Sequence, residues 1–223
     1  TDGAGETLDW LCANGPVEDP SGRLVMRAVK LYIDGAMGSR GAALLADYAD
    51  DSGNSGLLFM APAELQAQVE KALACGFQVG VHAIGDRGNR VVLDAYDAAL
   101  PKYPDNPGRH RVEHAQTLTD ADIPRFAGLR VIAAMQPTHA TSDMYWVGDR
   151  LGAERVVYAY AWRSLLDSGA KLALGLSHVL QGDDLNNGEM WLAQGVAKKP
   201  APTDLHTTYI LASRRAATRR QRQ

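Results

Sequence analysis

Along most of the chain, short apolar runs alternate with longer segments whose apolar residues recur every three or four positions, with glycine or proline between them. Ala28-Val29-Lys30-Leu31-Tyr32-Ile33 reads as a strand that stops at Asp34-Gly35, and a Gly/Ser/Arg-rich loop runs on through Arg40. Over residues 61–75 the positions Leu65, Val69, Ala72 and Leu73 keep helical spacing, with Pro62 suited to the first turn and Gly76 to the stop. The phrase then repeats: residues 77–82 form a short apolar strand, 85–89 a loop and 90–100 an amphipathic helix. Beyond a Pro/Asp/Asn-rich stretch at 101–108, residues 111–114 and 131–135 read as strands, with a helix starting near Thr119 between them. A helix at 153–168 and a strand at 171–175 complete the pattern. Five strands mostly separated by helices imply parallel pairing through crossovers, which leaves a doubly wound sheet or a β/α barrel.

The chain thus divides in three. Residues 1–23, rich in Gly, Asp and Pro, read as a surface connection with one helical turn around Leu8 to Cys12; residues 24–175 hold the α/β pattern; residues 176–223 are irregular apart from a short helix at 188–196. A length of 223 residues with 46% hydrophobic and 22% charged positions can bury one α/β core. Two cysteines, Cys12 and Cys75, exclude a disulfide-stapled miniprotein. No apolar run approaches the roughly 18 residues that span a bilayer, and no basic region leads into an apolar stretch near Thr1, so the expectation is a cytoplasmic protein without a membrane partner. The net charge of −3 hides an asymmetry: Arg214, Arg215, Arg219, Arg220 and Arg222 crowd the last ten positions and leave −8 for the rest. A body that acidic repels a polyanion, and its aromatic residues are not interleaved with basic ones, so no nucleic-acid partner is expected.

Parallel α/β folds gather reactive groups at the C-terminal ends of their strands. His82 closes the second strand, His114 the third, Gln136 follows the fourth, and Lys30 lies within the first. Histidines on neighbouring strand ends can reach one cation at ~2.0–2.1 Å each. A single such histidine is more often a hydrogen-bonded support than a ligand; two in register, preceded by a lysine inside an apolar strand, bring the two readings level. Lys30 needs neutralisation or a partner, for which Asp34, Asp86 and Glu113 are candidates. Arg87, Arg111, His139 and Asp143 suit loop ion pairs, and His110, His178 and His206 are expected at the surface.

Four phrases occur in order: Val29-Lys30-Leu31-Tyr32-Ile33-Asp34-Gly35-Ala36-Met37-Gly38-Ser39-Arg40, Val81-His82-Ala83-Ile84-Gly85-Asp86-Arg87, Arg111-Val112-Glu113-His114-Ala115-Gln116 and Met135-Gln136-Pro137-Thr138-His139. Together they resemble amidohydrolase family 3, the group of the metal-dependent amidohydrolase superfamily that includes N-substituted formamide deformylases. The resemblance spans about residues 20–175. It implies a TIM-type (β/α) barrel, of which this chain supplies about five of eight strands as a C-terminal fragment. It also implies one or two divalent metals, usually zinc. Lys30 would be carboxylated by CO2 to bridge them, His82 and His114 would bind the second, and Asp34, Asp86, Gln136 and His139 would line the pocket or support the ligands. The implied reaction is hydrolysis of an amide-like, non-peptide C–N bond in a small molecule by a metal-activated hydroxide.

Two parts of the family pattern are not met. The His-x-His pair of the first barrel strand does not occur, and where the eighth strand should end in Gly-Ser-Asp the chain reads Gly175-Leu176-Ser177-His178, with Asp183 and Asp184 eight and nine residues beyond Gly175. Impaired turnover is therefore expected, and the alternative is a noncatalytic binding or regulatory remnant of the same barrel. Five strands leave two open sheet edges, from which a homo-oligomer is expected.

Overall fold

The computed structural model describes residues 5–21, 23–106 and 108–175. The elements are α1 (Glu6–Asn14), β1 (Val17–Glu18), β2 (Val25–Met26), β3 (Ala28–Tyr32), α2 (Pro62–Ala74), β4 (Gln78–Ala83), α3 (Asp86–Ala99), β5 (Arg111–His114), α4 (Ile123–Leu129), β6 (Ile132–Met135), α5 (Pro137–Asp143), α6 (Val147–Arg155), α7 (Trp162–Asp167) and β7 (Lys171–Leu174). Strands β3 to β7 make one sheet in chain order, parallel throughout, while β1 and β2 form a separate antiparallel pair. The chain forms two compact units: Thr1–Met135 with Tyr145–Leu174, which contains the whole sheet, and Gln136–Met144 with Gly175–Gln223, described for α5 and its flanks. The helix expected over 188–196 and the basic tail fall outside the described residues.

The pleat divides labour within the first unit. Val29 and Leu31 of β3, Val79 and Val81 of β4, Val112 of β5 and Ala133 of β6 point to one face. There they bury against Leu65 and Val69 of α2, Val92 and Tyr96 of α3, Phe126 of α4 and Leu165 of α7. Alternate residues Lys30, Tyr32, His82, Arg111 and Glu113 share the other face. The Tyr96 hydroxyl lies 3.0 Å from the Val79 carbonyl and 2.9 Å from that of Arg111, joining α3 to two strands. Helix α2 stops where Gly76 takes a positive φ of 80°, letting the Gly76 and Phe77 N–H groups donate to the Leu73 and Ala72 carbonyls at 3.0 Å each.

Several expectations change. Helix α1 is nine residues long, with Leu8 and Leu11 buried, in place of a single turn. A disulfide joins Cys12 of α1 to Cys75 at the end of α2, across 63 positions of sequence. Helix α3 begins at Asp86, inside the expected loop. Gly88, whose presence suggested that loop, is there for space: a Cβ would lie 2.5 Å from Oδ2 of Asp34. The helix expected over 153–168 is interrupted, because Tyr160 is left-handed at φ 53° and its N–H donates to the Gln116 carbonyl at 2.7 Å.

His110, expected at the surface, is 4% exposed and accepts the Val79 N–H on Nδ1 at 3.2 Å. Burial pushes its pKa down to about 4, so the folded protein holds it neutral. The unfolded chain therefore takes up the proton first, and this group's contribution to stability is complete above about pH 6.5 and is lost as the pH falls towards 4. Asp34, pushed up to about 6 by burial, acts in the opposite sense over an overlapping window. The clean quantity is thus a difference: between pH 7 and pH 4.5, urea unfolding should show wild type losing about 2 kcal/mol more than His110→Gln, whose amide oxygen can still accept the Val79 N–H. Equal losses in the two proteins would contradict a buried neutral imidazole.

Candidate functional site

At the C-terminal ends of β3, β4 and β5, Tyr32 pairs in register with His82 and His82 with Glu113, so side chains from three strands meet on the face away from the helices. His114 departs from this rule. Its register partner is Ala83, which faces the core, so the pleat alone would turn His114 towards the helices. Instead His114 and Ala115 are both left-handed, at φ 77° and 42°, and the two imidazoles meet edge to face with centroids 4.6 Å apart. Two successive non-glycine residues in this region cost of order 1–3 kcal/mol each and persist only where the surroundings impose them. The surroundings here are explicit: Thr117 N–H donates to the Ile84 carbonyl at 2.9 Å, and the Gln116 side-chain amide donates to the Tyr160 hydroxyl at 2.7 Å.

Behind His82 stands Asp34, fully buried, with Oδ1 at 3.5 Å from Nε2 of the imidazole. Its carboxylate accepts three backbone N–H groups, from Ala43 at 2.9 Å, Ile84 at 3.0 Å and Gly85 at 2.8 Å. Burial outweighs these bonds and raises its pKa to about 6. The Lys30 ammonium lies 4.1 Å over the Tyr32 ring. Burial pushes its pKa down, the Glu113 carboxylate pulls it back up, and Arg111 pushes it down again. Of the three partners the sequence offered, Glu113 is therefore the one Lys30 feels most. Glu113 itself accepts from Nε of Arg111 at 2.6 Å. Gly80, between Lys30 and Arg111 in register, leaves room for this pair, since a Cβ there would sit 2.9 Å from Oε1 of Glu113.

The other expected residues are carried by α3 and by α5 with its first flanking position. Asp86 is buried in the first turn of α3, where it accepts the Leu45 and Arg87 N–H groups at 2.8 Å each and anchors the loop before α2; burial raises its pKa. Gln136 occupies the position before the first turn of α5 and His139 lies within that helix, both in the second unit. Burial lowers the His139 pKa while Asp143 raises it. His178, His206, Asp183 and Asp184 fall outside the described residues. Among the described residues, no three His, Cys, Asp or Glu side chains converge as a set able to hold a metal. Sequence reasoning passed over Tyr32, although its place two residues after Lys30 signalled a shared face. It had no signal for Tyr160, which lies 44 positions from Gln116.

The pattern of the amidohydrolase family matches residues 4–176. LONG AFTER FAR-RED 3 of Arabidopsis thaliana is 40% identical over 153 residues, which cover 68% of this chain and 26% of that protein. The crystal structure of an uncharacterized metal-dependent hydrolase from Pyrococcus horikoshii OT3 superposes with a TM-score of 0.73 at 32% identity, covering 86% of this chain and 37% of its own. A second such hydrolase, from Pyrococcus furiosus, gives 0.72 at 34% identity over 83% of this chain and 38% of its own. The chain therefore spans about a quarter of the plant relative and under two fifths of either hydrolase. Its five-stranded parallel sheet fits as part of their barrel, and the protein belongs to the amidohydrolase family.

Proposed function

We propose that this chain carries part of the metal site of a hydrolase acting on an amide-like, non-peptide C–N bond of a small molecule, in the manner of the formamide deformylase-like group. The observation that carries the reading is the His82–His114 pair, 4.6 Å between ring centroids, on a backbone held left-handed at His114. The donor set fits a divalent cation such as zinc through these two imidazoles and Lys30, whose carboxylation by CO2 would turn a cation into an oxygen ligand on the same sheet face. When bound, the cation supplies Lewis acidity toward a carbonyl oxygen and acidifies water. Asp34, facing Nε2 of His82, favours the tautomer protonated there and leaves Nδ1 the lone pair. Arg111 offers positive charge beside a carboxylated Lys30, and Tyr32 covers the lysine nitrogen.

A noncatalytic binding remnant is the second reading, favoured by the lack, among the described residues, of a third histidine or carboxylate ligand. Elemental analysis separates the two. After incubation with zinc and bicarbonate, wild type should retain about one divalent ion per chain, and His82→Ala/His114→Ala should retain none above background. Equal, background-level metal in both proteins would leave the remnant reading standing.

Two further expectations belong with this reading. Among the described residues, the edges β3 and β7 each pair with one strand only, which supports association with a second copy. No helix among the described residues is long and apolar enough to cross a membrane. The Cys12–Cys75 disulfide supports an oxidising compartment over the cytoplasm expected from the sequence.

A further inference from the structure

We propose that the other end of the sheet, where β5, β6 and β7 begin, binds a small organic molecule carrying a doubly charged oxyanion head, such as a phosphate monoester, on a partly apolar body. A cleft of about 400 Å³ opens there between the loop before β5, the end of α4 and the starts of β6 and β7. That volume suits a small ligand. Arg109, Arg130 and Lys171 line it, one near the beginning of each of three adjacent strands. Among the described residues, no carboxylate lines the cleft and none of the three side chains has an acidic partner. In a chain whose charge is −8 outside its arginine-rich tail, three cations lining one concavity are a local reversal of sign.

His110 supplies the second, independent observation. The residue is 4% exposed and is one of those that line the cleft. Because Nδ1 receives the Val79 N–H, the proton of the neutral ring sits on Nε2, which is left as the donor of the ring. A neutral donor beside three cations adds a hydrogen bond to an anion without adding repulsion. The loop that presents Arg109 is fixed before any ligand arrives. The Asn106 amide donates to the Leu73 and Phe77 carbonyls at 3.0 and 3.1 Å, its oxygen accepts the Gly108 N–H at 3.1 Å, and the Gln78 amide donates to the Arg109 carbonyl. Leu100, Leu129 and Ile132 give the cleft an apolar floor for the body of the ligand. The site is separate from the candidate metal centre, since it is built on strand starts and His82 and His114 lie at strand ends.

Calorimetric titration of the full chain, kept in EDTA, tests the proposal with phenyl phosphate as probe and benzyl alcohol as its uncharged counterpart. Wild type should bind phenyl phosphate saturably at one site and ignore benzyl alcohol. Arg109→Gln/Arg130→Gln, both at exposed positions, should weaken binding by roughly tenfold or more, and Lys171→Gln by a smaller factor, with circular dichroism unchanged. His82→Ala/His114→Ala should bind as wild type does. Lack of saturable binding to wild type would overturn the proposal. So would an unchanged affinity in the arginine variant, or a loss confined to the histidine variant, which would place the anion at the other end of the sheet.

Discussion

Asp34→Ala is expected to lower the unfolding free energy by about 4 kcal/mol, because it strands three buried N–H donors at once, each worth roughly 1–3 kcal/mol when unsatisfied. The three come from two places: Ala43 in the loop after β3, and Ile84 and Gly85 just after β4. One carboxylate thus holds a long loop against the strand that carries His82. Asp34→Asn retains one acceptor oxygen but turns an amide NH2 towards backbone donors, so its loss should be intermediate, about 2 kcal/mol. Urea unfolding at constant slope checks both values. A loss below about 1 kcal/mol in the alanine variant would mean that water replaces the carboxylate. If the metal reading is right, zinc affinity should also fall by roughly 10–100-fold, as removal of a ligand's supporting partner does.

Breaking the Cys12–Cys75 link should have a comparable effect. The bond closes a loop across 63 positions, and the chain-entropy argument assigns such a loop about 4 kcal/mol, of which 2–4 kcal/mol is the usual yield. The link also fastens α1, whose Leu8 and Leu11 complete the core beside α2. In Cys12→Ser/Cys75→Ser, thermal unfolding should shift downward, and hydrogen exchange should accelerate first in α1 and the end of α2. Uniform exchange rates in the two proteins would show that apolar burial alone keeps α1 in place.

The strands were legible in the sequence because the same residues carry two signals, an apolar run and a polar residue at its end. The parallel pairing of the five strands followed from the helices between them, and the alternation along those strands puts Lys30 and His82 on one face. What the pattern did not show depends on contacts between distant segments. The Gly85–Asn89 stretch looks like a loop by composition, yet Gly88 is small to admit Asp34, 54 positions earlier. His110 looks like a surface residue, yet it is buried against Val79, 31 positions away. The pleat at the end of β5 places His114 wrongly, because Tyr160 and Ile84 impose a backbone that no local signal announces. Asp86, expected near the ligands, is taken up by the loop at Leu45.

The alternation along β3, β4 and β5 also constrains how such a protein can change over generations. Lys30 is written between Val29 and Leu31, His82 between Val81 and Ala83, and Glu113 between Val112 and His114. Insertion or deletion of one residue in any of these strands exchanges every charged position with an apolar one. Drift by substitution can adjust either surface alone, but drift in length within a strand cannot. Gains and losses of sequence are therefore confined to the connections, the 29-residue stretch between Tyr32 and Pro62 above all, while these strand segments must be inherited letter for letter in length.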